Sequence, residues 1–346
     1  MLLTCQAGFE TLFARELAEL HGLAIREKGP GWVLVAPDVR APSTPTTLDR
    51  SAGCAFAHLS LSQPVEVHGD SVNALAGKIA DQFLAGVRGE RVEAAWPNVW
   101  LGPAGIVGLG RRIDAVREAC GEMLRKRLSR VARLATSELP RQRGPARGLL
   151  VFFADFGRAF VSREGFTHGP RRMADDPLAP SRSYLKVEEA YVVLGSEPKE
   201  GETVCDLGAA PGGWSYSAAK RGARVVAIDN GPLKGGALDH PRIEHRREDA
   251  FRFSPATAGG EAFDWLFCDM VEEPHHVLRD IVEPWLVRRW CRRFVINLKF
   301  GRVDPIALLR ELHAASSPLA VTAPEARIVH LYHDREEFTV TGNLTA

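Results

Sequence analysis

The sequence predicts an α/β domain with a mostly parallel sheet and an antiparallel last strand, preceded by an α+β region. Three observations carry this. The chain has 346 residues, about twice an ordinary domain. Strand-like and helical stretches follow one another irregularly in its first half and alternate regularly in its second. Between the halves, the stretch THGPRRMADDPLAPSRS has prolines at 170, 177 and 180 and no apolar period, which marks a linker over residues 167–182.

In chain order, Phe9, Leu12, Phe13, Leu17 and Leu20 recur at helical spacing over residues 7–21, and WVLVAP reads as a strand. The Pro/polar run PDVRAPSTPTTLD (37–49) reads as a loop. A strand is expected at 64–68 and helices at about 71–87 and 111–135. In the second of these helices Ile113, Val116, Cys120, Met123, Leu124, Leu128 and Val131 line one face and arginines the other. LLVFFAD and RAFVSRE read as an antiparallel pair around Phe156-Gly157. After the linker, TVCDLG, RVVAIDN, DWLFCDM, FVINLKF and ARIVHLY are apolar runs separated by helical stretches near 214–221, 275–291 and 304–315. Continuous runs of this kind suit parallel strands covered on both faces. EFTVTGN follows with no helix before it, hence the antiparallel last strand.

Composition excludes whole classes. With 45% hydrophobic and 25% charged residues the chain is neither disordered nor collagenous. No apolar run reaches the roughly 18 residues of a membrane span, and the start MLLTCQAGFETLFAREL has acidic residues and no basic leader, so a cytoplasmic protein with no membrane partner is expected. Six scattered cysteines form no CxxC pair and the histidines no ligand spacing, so no metal is expected. Net charge is +1, but residues 111–147 hold eleven Lys/Arg against four Asp/Glu. A local basic face on a neutral protein suits contact with a phosphate backbone.

The chemistry is read at the strand ends, because ligands of open α/β sheets bind beyond them. The first run leads into Asp206-Leu207-Gly208-Ala209-Ala210-Pro211-Gly212-Gly213-Trp214, a glycine turn into a helix. Its GxxxGG spacing is not the GxGxxG of dinucleotide sites, and an acid at its head suits a ligand that is cationic or lacks phosphate. The second run ends in Asp229, placed to accept from ribose hydroxyls, and Asp249 follows as a candidate partner for an adenine amino group. A nucleoside without phosphate, attached to a cation, describes S-adenosylmethionine. Cys268-Asp269-Met270 stands where amino-group methylases carry an Asn/Asp-Pro-Pro-aromatic turn, and the Pro-Cys nucleophile of cytosine C5 methylases is missing. Lys299, Lys186 and the Glu336-Glu337 pair complete a set of strand-end and helix-start charges, which are seldom assembled without purpose.

The run DLGAAPGGW, the CDM and NLK strand ends and the SRSYLKVEEA helix start resemble the FtsJ-like 2'-O-ribose RNA methyltransferases, which use a Lys-Asp-Lys-Glu tetrad. More narrowly, CDMVEEP, VINLK, AIDNGP and the tail LYHDREEFTV resemble the RlmM family, which methylates one cytidine in the peptidyl-transferase region of 23S rRNA. The resemblance implies a Rossmann-like class I methyltransferase domain over 183–346, a ferredoxin-like piece over 1–59 and a THUMP RNA-binding domain over 60–166. It implies S-adenosylmethionine as cofactor, bound by Ser183, Ala210, Pro211, Gly212, Gly213, Asp229, Asp249 and Asp269, and a catalytic tetrad of Lys186, Asp269, Lys299 and Glu337. Alternation along a strand lets only one of Glu336 and Glu337 face the site, and the resemblance, which aligns the following Phe-Thr-Val with the family's strand, implies Glu337.

Transfer of a methyl group to a ribose oxygen is an in-line displacement that needs a proton acceptor. Lys299 takes that role by this reading: the sulfonium and Lys186 push it toward its neutral form, Asp269 and Glu337 orient it and oppose that shift, and Lys186 polarises the oxygen. The partner is 23S rRNA before subunit assembly is complete, bound by a monomer. The rival readings are a non-catalytic RNA-binding protein on a methylase fold and a 2'-O-methyltransferase of another RNA.

Overall fold

The computed structural model describes residues 1–37, 53–258 and 260–345, so the Pro/polar run 37–49 lies, apart from Pro37, outside the described residues. The chain divides into two compact units, Met1–Gly169 and Pro170–Ala346.

The first unit contains β1 (Leu2–Thr4), α1 (Glu10–Glu19), β2 (Ile25–Gly29), β3 (Trp32–Val35), β4 (Leu59–Leu61), β5 (Val65–His68), α2 (Val72–Gly86), β6 (Trp96–Leu101), α3 (Leu109–Arg127), β7 (Ala135–Thr136), β8 (Gly144–Phe153) and β9 (Arg158–Thr167). Among the described residues the strands form one sheet in the order β2-β3-β1-β4-β9-β8-β6-β7, with β5 also paired to β9. Strands from 1–59 and from 60–166 thus share a sheet through β4 and β9. β8 and β9 are antiparallel around Phe156-Gly157, as their sequences predict. α2 starts where the Ser71 hydroxyl accepts from the Ala74 N–H. Leu75, Ile79 and Phe83 of α2 and Leu109, Ile113, Val116, Cys120 and Leu124 of α3 bury one continuous apolar core against Leu149, Val151 and Phe153 of β8. α3 stops at Arg127 rather than running to 135, because Leu128 leaves the helical region (φ −142°, ψ 63°) and only the turn Ser129–Ala132 follows.

The second unit contains α4 (Tyr184–Leu194), β10 (Thr203–Leu207), α5 (Gly213–Ala219), β11 (Arg224–Ile228), β12 (Ile243–Arg246), β13 (Phe263–Cys268), β14 (Cys291–Lys299), α6 (Pro305–Leu312), β15 (Arg327–Val329) and β16 (Glu337–Asn343), with a further helical segment over 274–287. The strand order is β12-β11-β10-β13-β14-β16-β15. Pairings from β12 through to β14 are parallel, while β16 inserts antiparallel between β14 and β15. The parallel strands are apolar because helices cover both faces: Val204, Trp265, Phe267 and Val295 lie buried in one core with Val187, Tyr191 and Trp214. Strand order reverses between β10 and β13, and the crevice beyond their C-terminal ends is where such a sheet takes a ligand. Among the described residues no helix is long and apolar enough to cross a membrane.

Candidate active site

The turn after β10 brings backbone close to its neighbours. At Gly208 (φ +77°) a Cβ would stand 2.6 Å from Met270 Cγ, at the end of β13, and at Gly212 (φ +104°) 2.5 Å from Ala237 Cβ. Both positions combine a left-handed backbone with no room for a side chain, which is why glycine stands there. Gly213 opens α5 beside Ser183: a Cβ on Gly213 would be 3.0 Å from Ser183 Oγ, and Trp214 Nε1 donates to the Ser183 carbonyl at 2.9 Å. Ala210-Pro211 is a cis peptide bond.

Asp229 follows β11. Its Oδ2 accepts the Ala210 N–H at 2.9 Å and its Oδ1 the Gly231 N–H at 2.7 Å, leaving further lone pairs on both oxygens for a ligand. Asp206 is 1% exposed and accepts from Ser215 Oγ at 2.6 Å; burial pushes its carboxyl up to about 7. Asp249 stands apart. Its side chain is 50% exposed, Oδ1 accepts the Phe251 N–H at 3.0 Å and Oδ2 lies 3.4 Å from Arg252. The structure joins Ser183, Ala210, Gly212, Gly213 and Asp229 around one turn, and does not bring Asp249 into hydrogen-bond contact with them.

Beyond β13, β14 and β16 four charged side chains close a ring. Lys299 is the last residue of β14 and Glu337 the first of β16, paired directly across the ladder. Asp269 follows β13, and Lys186 comes from the first turn of α4. Lys186 Nζ lies 3.1 Å from Asp269 Oδ2 and 2.8 Å from Glu337 Oε1. Lys299 Nζ lies 2.6 Å from Asp269 Oδ1 and also donates to Glu337 Oε2. Glu337 is 3% exposed, whereas Glu336 is exposed, its side chain lies against Gly301, and its carbonyl accepts the Phe300 N–H.

Two positive and two negative charges thus neutralise one another in a largely buried space, the condition under which buried charge is tolerable. Lys299 has the most accessible side chain of the four, at 26% against 11% for Lys186, 14% for Asp269 and 4% for Glu337, so it is the one open to an incoming group. For its amine the opposing pull of the two carboxylates prevails. Burial alone would lower it, but the attraction of Asp269 and Glu337 outweighs burial and raises it above the ordinary lysine range. Asp269 feels burial in the opposite sense, and Lys186 and Lys299 hold its carboxyl below the usual carboxylate range.

Three neighbours escaped the sequence reading. Asn297 Nδ2 donates to Asp269 Oδ1 at 3.2 Å, Thr339 Oγ1 lies 2.7 Å from Asn297 Oδ1, and Asp334 lies against Thr339. Asn297 and Thr339 face one another only through the β14–β16 register, which a single sequence does not reveal. Elsewhere, Glu16, His21 and Cys54 have ligand atoms within 4.8 Å of one another, but both Glu16 oxygens already accept N–H groups, from Ala55 and Phe56.

In the first unit, the outward face of α3 and the chain after it expose Arg111, Arg125, Lys126, Arg130, Arg133 and Arg141, which make no ion pair among the described residues. Arg117 pairs with Asp114 and Arg127 with Asp81. The first six are open to solvent.

Residues 179–296 match the FtsJ-like methyltransferase family. A ribosomal RNA large subunit methyltransferase M from Halorhodospira halophila is 43% identical over 202 residues, 57% of each chain. Matches at 33% to the protein of that name from Laribacter hongkongensis and at 32% to that from Stenotrophomonas maltophilia cover 98% and 99% of this chain and 95% and 96% of theirs. Among solved structures, a fibrillarin from Aeropyrum pernix with natively bound S-adenosyl-L-methionine aligns with a TM-score of 0.33 at 17% identity, over 56% of this chain and 82% of that one, too distant a likeness to bear on the reaction.

Proposed function

The chain belongs to the ribosomal RNA large subunit methyltransferase M family, and from that premise we propose that it transfers the methyl group of S-adenosylmethionine to the ribose 2'-oxygen of a cytidine in the peptidyl-transferase region of 23S rRNA. The observation that carries the reaction type is the ring of Lys186, Asp269, Lys299 and Glu337 at the strand ends, two amines each touching both carboxylates. The glycine turn fits the cofactor: Asp229 retains lone pairs for ribose hydroxyls, and the close approach at Gly213 and Ser183 removes side chains from the path of an amino-acid tail. When bound, S-adenosylmethionine supplies a methyl group on a sulfonium. Asp229 would hold the nucleoside, Ser183 and Ala210 to Gly213 would line it, and Asp249 is assigned to the adenine edge.

Lys186, held by Asp269 and Glu337, points an ammonium at the 2'-oxygen and polarises it. Lys299, the most accessible of the four, accepts the 2'-hydroxyl proton. Because Asp269 and Glu337 favour its charged form, it must first lose a proton, and turnover climbs with pH as the free-amine fraction grows. The exposed arginine face of the first unit, assigned with 60–166 as a THUMP-like RNA-binding domain beside a ferredoxin-like piece over 1–59, contacts phosphates sequence-independently. The enzyme is cytoplasmic, acts as a monomer, and takes 23S rRNA before subunit assembly is complete, because sequence-specific RNA recognition targets unstacked nucleotides that a folded subunit packs on several sides.

The test has two arms. Mapping 2'-O-methyl groups on rRNA from a deletion strain should show one cytidine of 23S rRNA losing its mark; an unchanged map overturns the reaction. Labelling naked 23S rRNA and intact 50S subunits with radioactive cofactor should favour the naked RNA, and equal or faster labelling of the subunits overturns the timing.

A further inference from the structure

We propose that Asp334 is a positioning residue held as a neutral carboxylic acid, whose proton begins a hydrogen-bond relay through Thr339 and Asn297 that sets the rotation of Asp269. The relay rests on the tetrad reading above for its effect on turnover, but not for its existence, which follows from counting protons. Asn297 Nδ2 donates to Asp269 Oδ1 at 3.2 Å, so the other amide atom, Oδ1, faces Thr339 Oγ1 at 2.7 Å as an acceptor. Turning the amide over would set two oxygens against one another at Asp269. Thr339 has one hydroxyl proton, and Asn297 Oδ1 takes it.

Thr339 Oγ1 nevertheless lies 3.2 Å from Asp334 Oδ1 and 3.0 Å from Asp334 Oδ2. An ionised Asp334 has nothing to donate and would meet a hydroxyl lone pair. A protonated one donates to Thr339, Thr339 to Asn297 and Asn297 to Asp269, each proton used once. The chain is dry: Asp334 and Asn297 are 1% exposed and Thr339 is fully buried. In such a setting an unmatched polar contact is costly and a completed one rigid.

The groups around Asp334 agree. Glu337 and Thr339 face it from β16, Lys186 and Glu189 from α4, and the Leu331 N–H donates to its Oδ2 at 2.9 Å. Lys186 is already shared between Asp269 and Glu337. Burial, then the negative charge of Glu337, push the Asp334 carboxyl up to about 8, so it is mostly protonated at neutral pH. Asp269 sits at the far end of the chain, and its two oxygens place both lysines. Releasing the chain lets that carboxylate turn, and misplacement of reacting groups by an ångström costs up to about a hundredfold in rate.

The experiment measures methyl transfer to 23S rRNA from pH 6 to 9.5, with cofactor Kd, for wild type, Asp334→Asn, Asp334→Ala, Thr339→Val and Thr339→Ser. Asparagine donates through Nδ2, so Asp334→Asn keeps kcat within about twofold at pH 7, while Asp334→Ala loses about ten- to a hundredfold in kcat with cofactor Kd unchanged. The wild-type profile climbs with the free-amine fraction of Lys299 and levels off above about pH 8, whereas that of Asp334→Asn keeps climbing. Thr339→Val falls as Asp334→Ala does and Thr339→Ser recovers, which decides the matter if the Asp334 variants fail to fold. An infrared difference spectrum at pH 6.5 between wild type and Asp334→Asn shows the carbonyl stretch of a protonated acid, and reads protonation even if the enzyme proves inactive on 23S rRNA. Loss of kcat in folded Asp334→Asn equal to that in Asp334→Ala, full activity in Thr339→Val, or a missing acid band overturns the proposal.

Discussion

The two units hold their positive charge in opposite ways. Residues 1–169 contain 21 Lys/Arg against 17 Asp/Glu, and six of the cations along and after α3 stand exposed with no ion pair among the described residues. Residues 170–346 contain 23 against 26, and the two lysines of the site are largely buried against two carboxylates. Exposed charge acts at long range, additively and through counterions, so it supplies affinity that salt erodes. Buried, mutually neutralised charge acts over hydrogen-bond distance and depends on geometry, so it supplies a reaction that salt barely touches. The difference teaches where to look for each function: affinity in the count of free guanidinium groups, chemistry in the few charges that are expensive to hold.

The hardest way to break the buried arrangement is at its accessible lysine. Lys299→Ala removes the proposed proton acceptor and should lower turnover by about a hundred- to ten-thousandfold while leaving cofactor affinity nearly intact, since the amine touches Asp269 and Glu337 and neither the glycine turn nor Asp229. Asp229→Ala should do the reverse. Charge-assisted hydrogen bonds are worth about 1.5 to 3 kcal/mol, so cofactor Kd, followed by calorimetry, rises about ten- to a hundredfold and turnover recovers at saturating cofactor. Near-wild-type turnover in Lys299→Ala would sink the proton-acceptor assignment and leave the ring a structural ion cluster.

How far the site could be read from sequence follows from the same physics. Parallel strands buried on both faces are continuous apolar runs, so the polar residue that ends each one is conspicuous, and Asp229, Asp269 and Lys299 are legible for that reason. Edge and short strands carry no such signal. Ile243–Arg246 lies at an edge with no fully buried residue, Ile25–Gly29 is as polar as a loop, Leu2–Thr4 has three residues, and Trp96–Leu101 contains Pro97. The end of α3 was hidden because Val131 continues the apolar period past the break at Leu128. Which influence prevails at Lys299 was hidden too. Its nearest charges are fixed by the cross-strand register with Glu337 and by the end of β13, so the balance of burial against attraction emerges only in three dimensions.

A milder intervention tests the exposed side. Changing Arg125, Lys126 and Arg130 together to Glu reverses three free cations on α3 and the turn after it. For every phosphate that the variant no longer neutralises, the slope of log K against log salt should flatten by roughly 0.7 to 0.9, and RNA affinity should drop most at low salt. Turnover at saturating RNA should stay at the wild-type value, since the ring in the second unit is unaltered. Unchanged affinity and slope would move the RNA-binding face to another surface and dissolve the contrast between the units.

The smallest expected effect sharpens the comparison from inside the first unit, where one cation is held almost as closely as those of the ring. Arg158 is 18% exposed, bonds Glu27 through Nη1 at 2.6 Å and Nη2 at 2.8 Å and Glu66 through Nε at 2.7 Å, and lies 4.9 Å over the Phe160 ring. Its guanidinium holds both carboxyls below the usual carboxylate range. Groups with depressed folded values stabilise the fold above their unfolded range, near 4.5, and that contribution is lost as pH falls through the folded values. Because Glu27 is 38% exposed, solvent screening reduces the pH-dependent gain to about 1 kcal/mol. Arg158→Met, which keeps the packed stem, should therefore cost about that much at pH 7 by denaturant unfolding, and the deficit should shrink as the medium is taken from pH 5 toward 3. Asp206 and Asp334 in the second unit have the opposite sign, since their folded values of about 7 and about 8 mean protons bound on folding and stability surrendered as pH rises from 4 toward 8. An Arg158→Met deficit that stays constant from pH 7 to 3 would show that packing over Phe160 alone, and not the pairing of charge, is what this arginine contributes.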